Sequence, residues 1–176
     1  MKKIQFLVLS LFTFHFSLFA LFGCGYSLHS KASLHFREIQ IGAIENRTYE
    51  SKIQDRLYEA LTEEFLKQGV KVHPGAFYKL SGTINKFELR ILSEKKGVAT
   101  EYEVIIQGDF KFTDPSGNIK ELKNIGSPFI ASFSAPGPLE ELIAFKELTS
   151  ERAVRDMAME IVANLIYSFR EENLNE

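Results

Sequence analysis

The 176-residue chain has one cysteine, no tryptophan and no marked excess of either charge. Its formal net charge is −2, and the chain becomes more acidic when Lys2 and Lys3 are removed with a predicted leader. Proteins that bind duplex nucleic acid usually carry a strong basic field, so we expect no nucleic-acid partner, and any anion site must be local. A chain of this length supports one domain with a sizeable core.

The longest apolar run lies near the amino-terminal end of the sequence. Lys2 and Lys3 precede this run, which extends from Ile4 to Phe22, and the pattern is typical of a secretion signal. We predict that residues 1–23 are a signal peptide outside the fold. The run is also long enough for an uncleaved membrane-spanning helix, and this alternative stays open.

The single cysteine directly follows the apolar run, in "LFGC" at residues 21–24. This motif resembles the bacterial lipobox, in which the cysteine sulfur receives a lipid, although Phe22 replaces the usual small residue. Because several acyl chains anchor a protein durably, we predict that Cys24 is lipidated and begins a tether over 24–35. Gly25 favours sorting to the outer membrane by the same resemblance. A free thiol beyond an ordinary signal or anchor helix is the alternative.

The rest of the sequence predicts a single α+β domain over residues 36–172, followed by a tail at 173–176. Apolar residues alternate in the predicted strands and recur every three or four residues in the predicted helices. The predicted elements are a strand at 36–44, a helix at 51–68, a long hairpin of 77–94 and 98–112 with a bulge near Asn85 and Lys86, a strand at 127–134 and a helix at 149–170, extended by a turn or two from Leu139. We expect a mainly antiparallel four-stranded sheet with two long helices packed on one face.

Residues suited to catalysis or metal binding are scattered along the sequence. His15 lies in the predicted leader, His29 and His35 lie in or near the tether, and His73 stands alone. Neither a nucleophile motif nor a glycine-rich phosphate loop is present. We therefore expect no enzymatic activity, no cofactor and no metal site. The alternative is an anchored periplasmic hydrolase whose active-site residues are scattered along the sequence.

Four segments in order along the mature chain resemble the LptE family of outer-membrane lipopolysaccharide-assembly lipoproteins. They are "CGYSL" at 24–28, "ENRTYES" at 45–51, "LSGTI" at 80–84 and "ATEYEV" at 99–104. The resemblance implies a protein without catalytic activity, anchored in the outer membrane, that plugs and helps assemble the β-barrel translocon LptD. It also implies contact with lipopolysaccharide on its way to the cell surface.

Lipopolysaccharide is anionic, so contact with it requires accessible cations. Lys95 and Lys146 match, by their offsets from the quoted motifs, basic positions implicated in the family, and Lys96 is added because it is adjacent to Lys95. The alternative for all three is a solubilising role at the surface. A different function stays open as well: a lipoprotein that carries or scaffolds another lipid in a groove between helices and sheet.

Overall fold

The computed structural model describes residues 34–127, 131–135 and 137–174, with side chains described as far as residue 168. The predicted signal peptide and Cys24 lie outside the described residues, as does most of the predicted tether. The described elements are β1 (Glu38–Asn46), α1 (Ile53–Lys67), β2 (Lys71–Val72), β3 (Lys79–Lys95), β4 (Val98–Thr113), β5 (Ile119–Gly126), β6 (Ala131–Ser134) and α2 (Leu139–Leu174).

The strands form one mixed sheet in the order β2-β1-β3-β4-β5, with β6 also paired to β4. β1 is parallel to both β2 and β3, whereas β3, β5 and β6 are each antiparallel to β4. The α+β class with two helices is confirmed, but the sheet is mixed and has six strands, whereas a mainly antiparallel four-stranded sheet was predicted. The chain passes through α1 after β1, and such a helical crossover brings a later strand back in the parallel direction.

One face of the sheet and both helices share a single hydrophobic core. Leu80 pairs with Phe112 across β3 and β4, and both side chains are buried. From α2, Met157 lies over Gly108 of β4, and its Cε is 3.1 Å from the position of a Cβ at Gly108. The core also includes Leu34, two residues before the predicted start of the domain.

The β3–β4 hairpin extends beyond β1 and β5, and β6 pairs with part of its outer half, at Glu101–Val104 of β4. β1 pairs with β3 only as far as Ile84, so from Asn85 to Lys95 the only described strand paired with β3 is β4. The predicted bulge is confirmed, because the register shifts between Ile84 and Lys86. In this outer half Val104 still belongs to the core, whereas Ile91 is exposed.

Helix α2 runs from Leu139 to Leu174, so it includes the predicted extension from Leu139 and continues past the predicted end at 170. Ser150, a residue type that often caps helices, lies inside α2, where its hydroxyl donates a hydrogen bond to the Lys146 carbonyl at 2.7 Å. Serine and threonine form this back-bond within helices as well as capping them, so the sequence signal was ambiguous. Among the described residues, neither helix combines the length and the apolar character needed to cross a membrane.

Candidate functional site

Lys95 and Lys96 lie at the tip of the β3–β4 hairpin, and both are exposed. Lys95 pairs with Val98, so the turn consists of Lys96 and Gly97 alone. Their φ angles are 55° and 77°, and positive values at both positions are typical of a two-residue type I′ turn. This geometry places two ammonium groups at the end of a projecting arm, where an anion can reach them.

Lys146 has a different environment, on the amino-terminal part of α2. Its Nζ donates a hydrogen bond to Glu50 Oε2 at 2.6 Å. The same Nζ is 5.3 Å from the centroid of the Phe87 ring, a cation–π arrangement. The Lys146 side chain is only 29% exposed and that of Glu50 only 12%. Lys146 thus connects α2 to β3 and to the loop after β1.

The "ENRTYES" motif forms the loop that holds Glu50 in place. Asn46 Oδ1 accepts hydrogen bonds from the Thr48 backbone N–H at 2.9 Å and from its hydroxyl at 2.8 Å. Asn46 Nδ2 donates to the Glu50 carbonyl at 2.7 Å. These bonds fix the loop conformation, and Tyr49 at its apex is fully exposed. The motif therefore shapes a rigid loop rather than a reactive centre.

The three predicted lysines do not form one cluster. Lys146 lies beside Phe87, and Phe87 is eight residues from Lys95 along β3. At about 3.3 Å per residue, this separation is roughly 26 Å. The structure therefore offers two separate basic positions, an exposed pair at the hairpin tip and a partly buried lysine at its base.

The sheet face opposite the helices is polar. Glu103 of β4 is buried there and pairs with Arg90 of β3. Along the outer edge of β3, Lys86 Nζ lies 2.8 Å from Glu88 Oε2. The hydrogen bond from Lys86 and its charge hold the pKa of Glu88 below its ordinary value. Charges along an unpaired edge discourage unwanted strand pairing.

A cleft lies between β6 and α2, and the lipid-carrier alternative expects a groove in such a position, between helices and sheet. The residues that line the cleft were not predicted from the sequence. The volume of the cleft is about 550 Å³. The lining residues are Ala131, Ser132, Phe133, Phe145, Leu148, Thr149, Arg152 and Arg155. The only available sequence signal was the spacing of Arg152 and Arg155, which places them on neighbouring turns of a helix. That spacing is common on solvated helix faces and did not indicate a cleft.

The potential metal-ligating side chains of the described residues are scattered over the fold. Within the ranges 34–127, 131–135 and 137–168, no three histidine, cysteine, aspartate or glutamate side chains lie close enough together to hold an ion. His73 instead accepts a hydrogen bond from the Gly75 backbone N–H at its Nδ1, at 3.1 Å.

Several solved structures resemble this chain. A protein from Xanthomonas campestris is 12% identical, with a TM-score of 0.54, and the match covers 81% of this chain and 91% of that one. Rare lipoprotein B from Shewanella oneidensis is 18% identical, with a TM-score of 0.49 and coverage of 77% and 97%. At these identities the likeness to the Xanthomonas protein supports the fold alone. No curated protein sequence matches the chain.

The family comparison is more informative than the individual structures. The model of the LptE family, described as lipopolysaccharide-assembly, matches residues 36–165. This range runs from the residues just before β1 to the buried part of α2, and it includes the "ENRTYES" loop and the whole β3–β4 hairpin. The match thus covers the sheet, α1, most of α2 and all three predicted lysines. The chain belongs to the LptE family of lipopolysaccharide-assembly lipoproteins.

Proposed function

We propose that this protein is a non-catalytic outer-membrane lipoprotein, anchored through Cys24, that plugs and helps assemble an LptD-type β-barrel translocon. In this role it assists the transport of lipopolysaccharide to the cell surface and needs no cofactor. The observation that carries the proposal is the family match over residues 36–165. That match includes every described strand and most of α2.

The distribution of polar groups supports a plug. The interior of a transmembrane barrel is polar, so a domain that fills it needs a polar outer surface over a well-packed core. The sheet face opposite the helices has this character. Asp109, for example, accepts hydrogen bonds from Asn85 Nδ2 at 2.7 Å and from the Asn124 backbone N–H at 2.8 Å. These bonds keep exposed polar side chains ordered against the strands.

The hairpin tip is the better placed of the two predicted contacts with lipopolysaccharide. Lys95 and Lys96 are exposed and are not part of any ion pair in the described structure. Lys146 already has Glu50 as a partner, and an anionic ligand must compete with that carboxylate. We therefore assign the primary contact with lipopolysaccharide phosphates to Lys95 and Lys96, and a secondary contact to Lys146.

Co-purification tests the barrel partnership directly. The lipidated chain, tagged at Glu176, is extracted from native membranes with a mild detergent, and the recovered proteins are identified by mass spectrometry. We expect a large outer-membrane β-barrel protein at a fixed ratio to the tagged chain. Recovery of the tagged chain alone, while other outer-membrane complexes survive the same extraction, would contradict the proposal and favour the lipid-carrier alternative.

The anchor needs a separate measurement. Intact-mass analysis of the mature protein is expected to show acyl chains on a chain that begins at Cys24, and Cys24→Ser is expected to remove them. Retention of residues 1–23 in the mature protein would instead support the uncleaved membrane-spanning helix. The two measurements are independent, because an unanchored domain can still enter a barrel.

A further inference from the structure

The cleft between β6 and α2 has an apolar wall formed by stacked aromatic rings. The Phe133 ring centroid is 5.3 Å from that of Tyr102 and 6.3 Å from that of Phe145. Leu148, on the next turn of α2, is 61% exposed. Apolar surface that lies open beside an ordered aromatic stack is typical of a place where an apolar group of a ligand binds.

The cleft is also cationic, although the chain as a whole is acidic. Its lining includes Arg152 and Arg155 but no carboxylate. Arg155 Nη2 lies 2.8 Å from Glu151 Oε1, which is outside the lining. Among the described residues, no carboxylate forms an ion pair with Arg152. A guanidinium group with free N–H donors binds phosphate in a bidentate manner, so Arg152 is the leading anion-binding group here.

Two hydroxyl groups complete the lining. Ser132 is on β6, and Thr149 is on α2 beside Leu148. The volume of about 550 Å³ is in the range of small-molecule sites, roughly 300–1,000 Å³. The cleft therefore has room for part of one amphiphilic molecule and is too small for a patch of bilayer.

We propose that this cleft binds a single anionic acyl lipid. Its phosphate pairs with Arg152, and part of an acyl chain lies against Phe145 and Leu148. This site is distinct from the hairpin tip, where only the charged part of a ligand meets the protein. The proposal goes beyond the plug function and does not depend on it, because every lining residue belongs to this chain.

Site-specific photo-crosslinking tests the proposal on the full lipidated chain. A benzoylphenylalanine is placed at Leu148, and the protein is incorporated into phosphatidylcholine vesicles that contain a minor share of phosphatidylglycerol or of purified lipopolysaccharide. Met159 provides the matched control position, since it is exposed on the same helix and is not in the cleft lining. Adducts are identified by mass spectrometry after irradiation.

We expect adducts at Leu148 to be enriched in the anionic lipid relative to its share of the vesicle, whereas adducts at Met159 follow that share. Arg152→Glu is expected to reduce the enrichment several-fold, and the neutral Arg152→Gln is expected to give an intermediate value. Lys79→Glu reverses a charge at an exposed position away from the cleft, and it is expected to leave the enrichment at Leu148 unchanged. A circular-dichroism melt of each variant shows that it is folded.

The two vesicle compositions distinguish the sources of the ligand. Enrichment with phosphatidylglycerol identifies a membrane phospholipid, and enrichment only with lipopolysaccharide identifies the transported molecule. Equal adduct composition at Leu148 and Met159 would overturn the proposal, as would enrichment that persists in folded Arg152→Glu. No barrel is present in this assay, so its outcome is separate from that of the co-purification experiment.

Discussion

The Nζ atom of Lys146 lies 2.6 Å from Oε2 of Glu50, a residue far away in the sequence. This ion pair joins the amino-terminal part of α2 to the loop after β1. Phe87 of β3 packs against the same ammonium group. A lysine matched to a ligand-binding position by its place in the sequence therefore also has an internal structural role, and the two roles need separate tests.

The structural role of Lys146 is measurable with a double-mutant cycle. Lys146→Met is expected to lower the free energy of unfolding by about 1–2 kcal/mol, because it leaves the mostly buried Glu50 carboxylate without its partner. Glu50→Gln combined with Lys146→Met is expected to cost less than the sum of the two single changes. Urea unfolding followed by circular dichroism measures all three variants. If the losses in the free energy of unfolding of the two single variants summed to that of the double variant, Lys146 and Glu50 would not be coupled.

Lys95 allows a cleaner test of ligand contact than Lys146. Lys95→Glu replaces an exposed cation at the hairpin tip, so stability is expected to change by less than about 0.5 kcal/mol. Binding of purified lipopolysaccharide to the full chain is expected to weaken several-fold and to lose part of its salt dependence, since screening acts on exposed charges.

The matched control for this experiment is Lys111→Glu. Lys111 is also an exposed lysine of the hairpin, but it lies in β4 near the opposite end of the arm, where its Nζ is 3.9 Å from Glu121 Oε1. Equal weakening in the two variants would show a general effect of charge and would remove Lys95 from the site.

Periodic patterns predicted the main elements well where one face is buried. The alternation of Val104, Ile106, Phe110 and Phe112 gave β4, and each of these side chains is in the core. β5 was missed, because Leu122 is its only fully buried side chain and Asn124 interrupts it with a φ of 55°. β2 has only two residues, too few for any pattern to be recognised.

The candidate site was predictable only in part, because some of its contacts join residues that are far apart in the sequence. The turn residues placed Lys95 and Lys96 at a tip, since a glycine after polar residues indicates a turn locally. The pairing of Lys146 with Glu50 depends on how α2 packs against the sheet, and local sequence carries no information on that packing. The cleft near Arg152 likewise depends on where β6 pairs with β4.

The turn at the hairpin tip places Lys96 in a conformation that lysine disfavours. Its φ is 55°, in the left-handed region, where a non-glycine residue costs about 1–2 kcal/mol. Lys96→Gly is therefore expected to raise the free energy of unfolding by about 1 kcal/mol, provided that the hairpin unfolds together with the core. Lys96→Val is the contrasting variant, and it is expected to be destabilising. Chemical denaturation of both variants measures this difference, and equal stabilities would contradict the type I′ geometry.

Gly82 supplies the most direct test of packing in the sheet. It pairs with Phe110, whose buried ring occupies the space that a Cβ at position 82 requires, and the Asp109 carbonyl oxygen would be only 2.9 Å from that Cβ. Gly82→Ala is expected to lower the free energy of unfolding by about 1–3 kcal/mol, because the ring must move within a close-packed core.

Gly42 is the matched control for Gly82, since it also lies in a strand of the sheet. A Cβ at Gly42 would be 3.5 Å from the Leu80 carbonyl oxygen and 3.6 Å from Ser81 Cβ, both ordinary contact distances. Gly42→Ala is therefore expected to be neutral or to stabilise the protein by up to about 1 kcal/mol, because alanine loses less backbone freedom on folding than glycine. If urea unfolding gave the two variants equal stabilities, the Phe110 ring could not occupy the position described, and the packing of β3 against β4 would need revision.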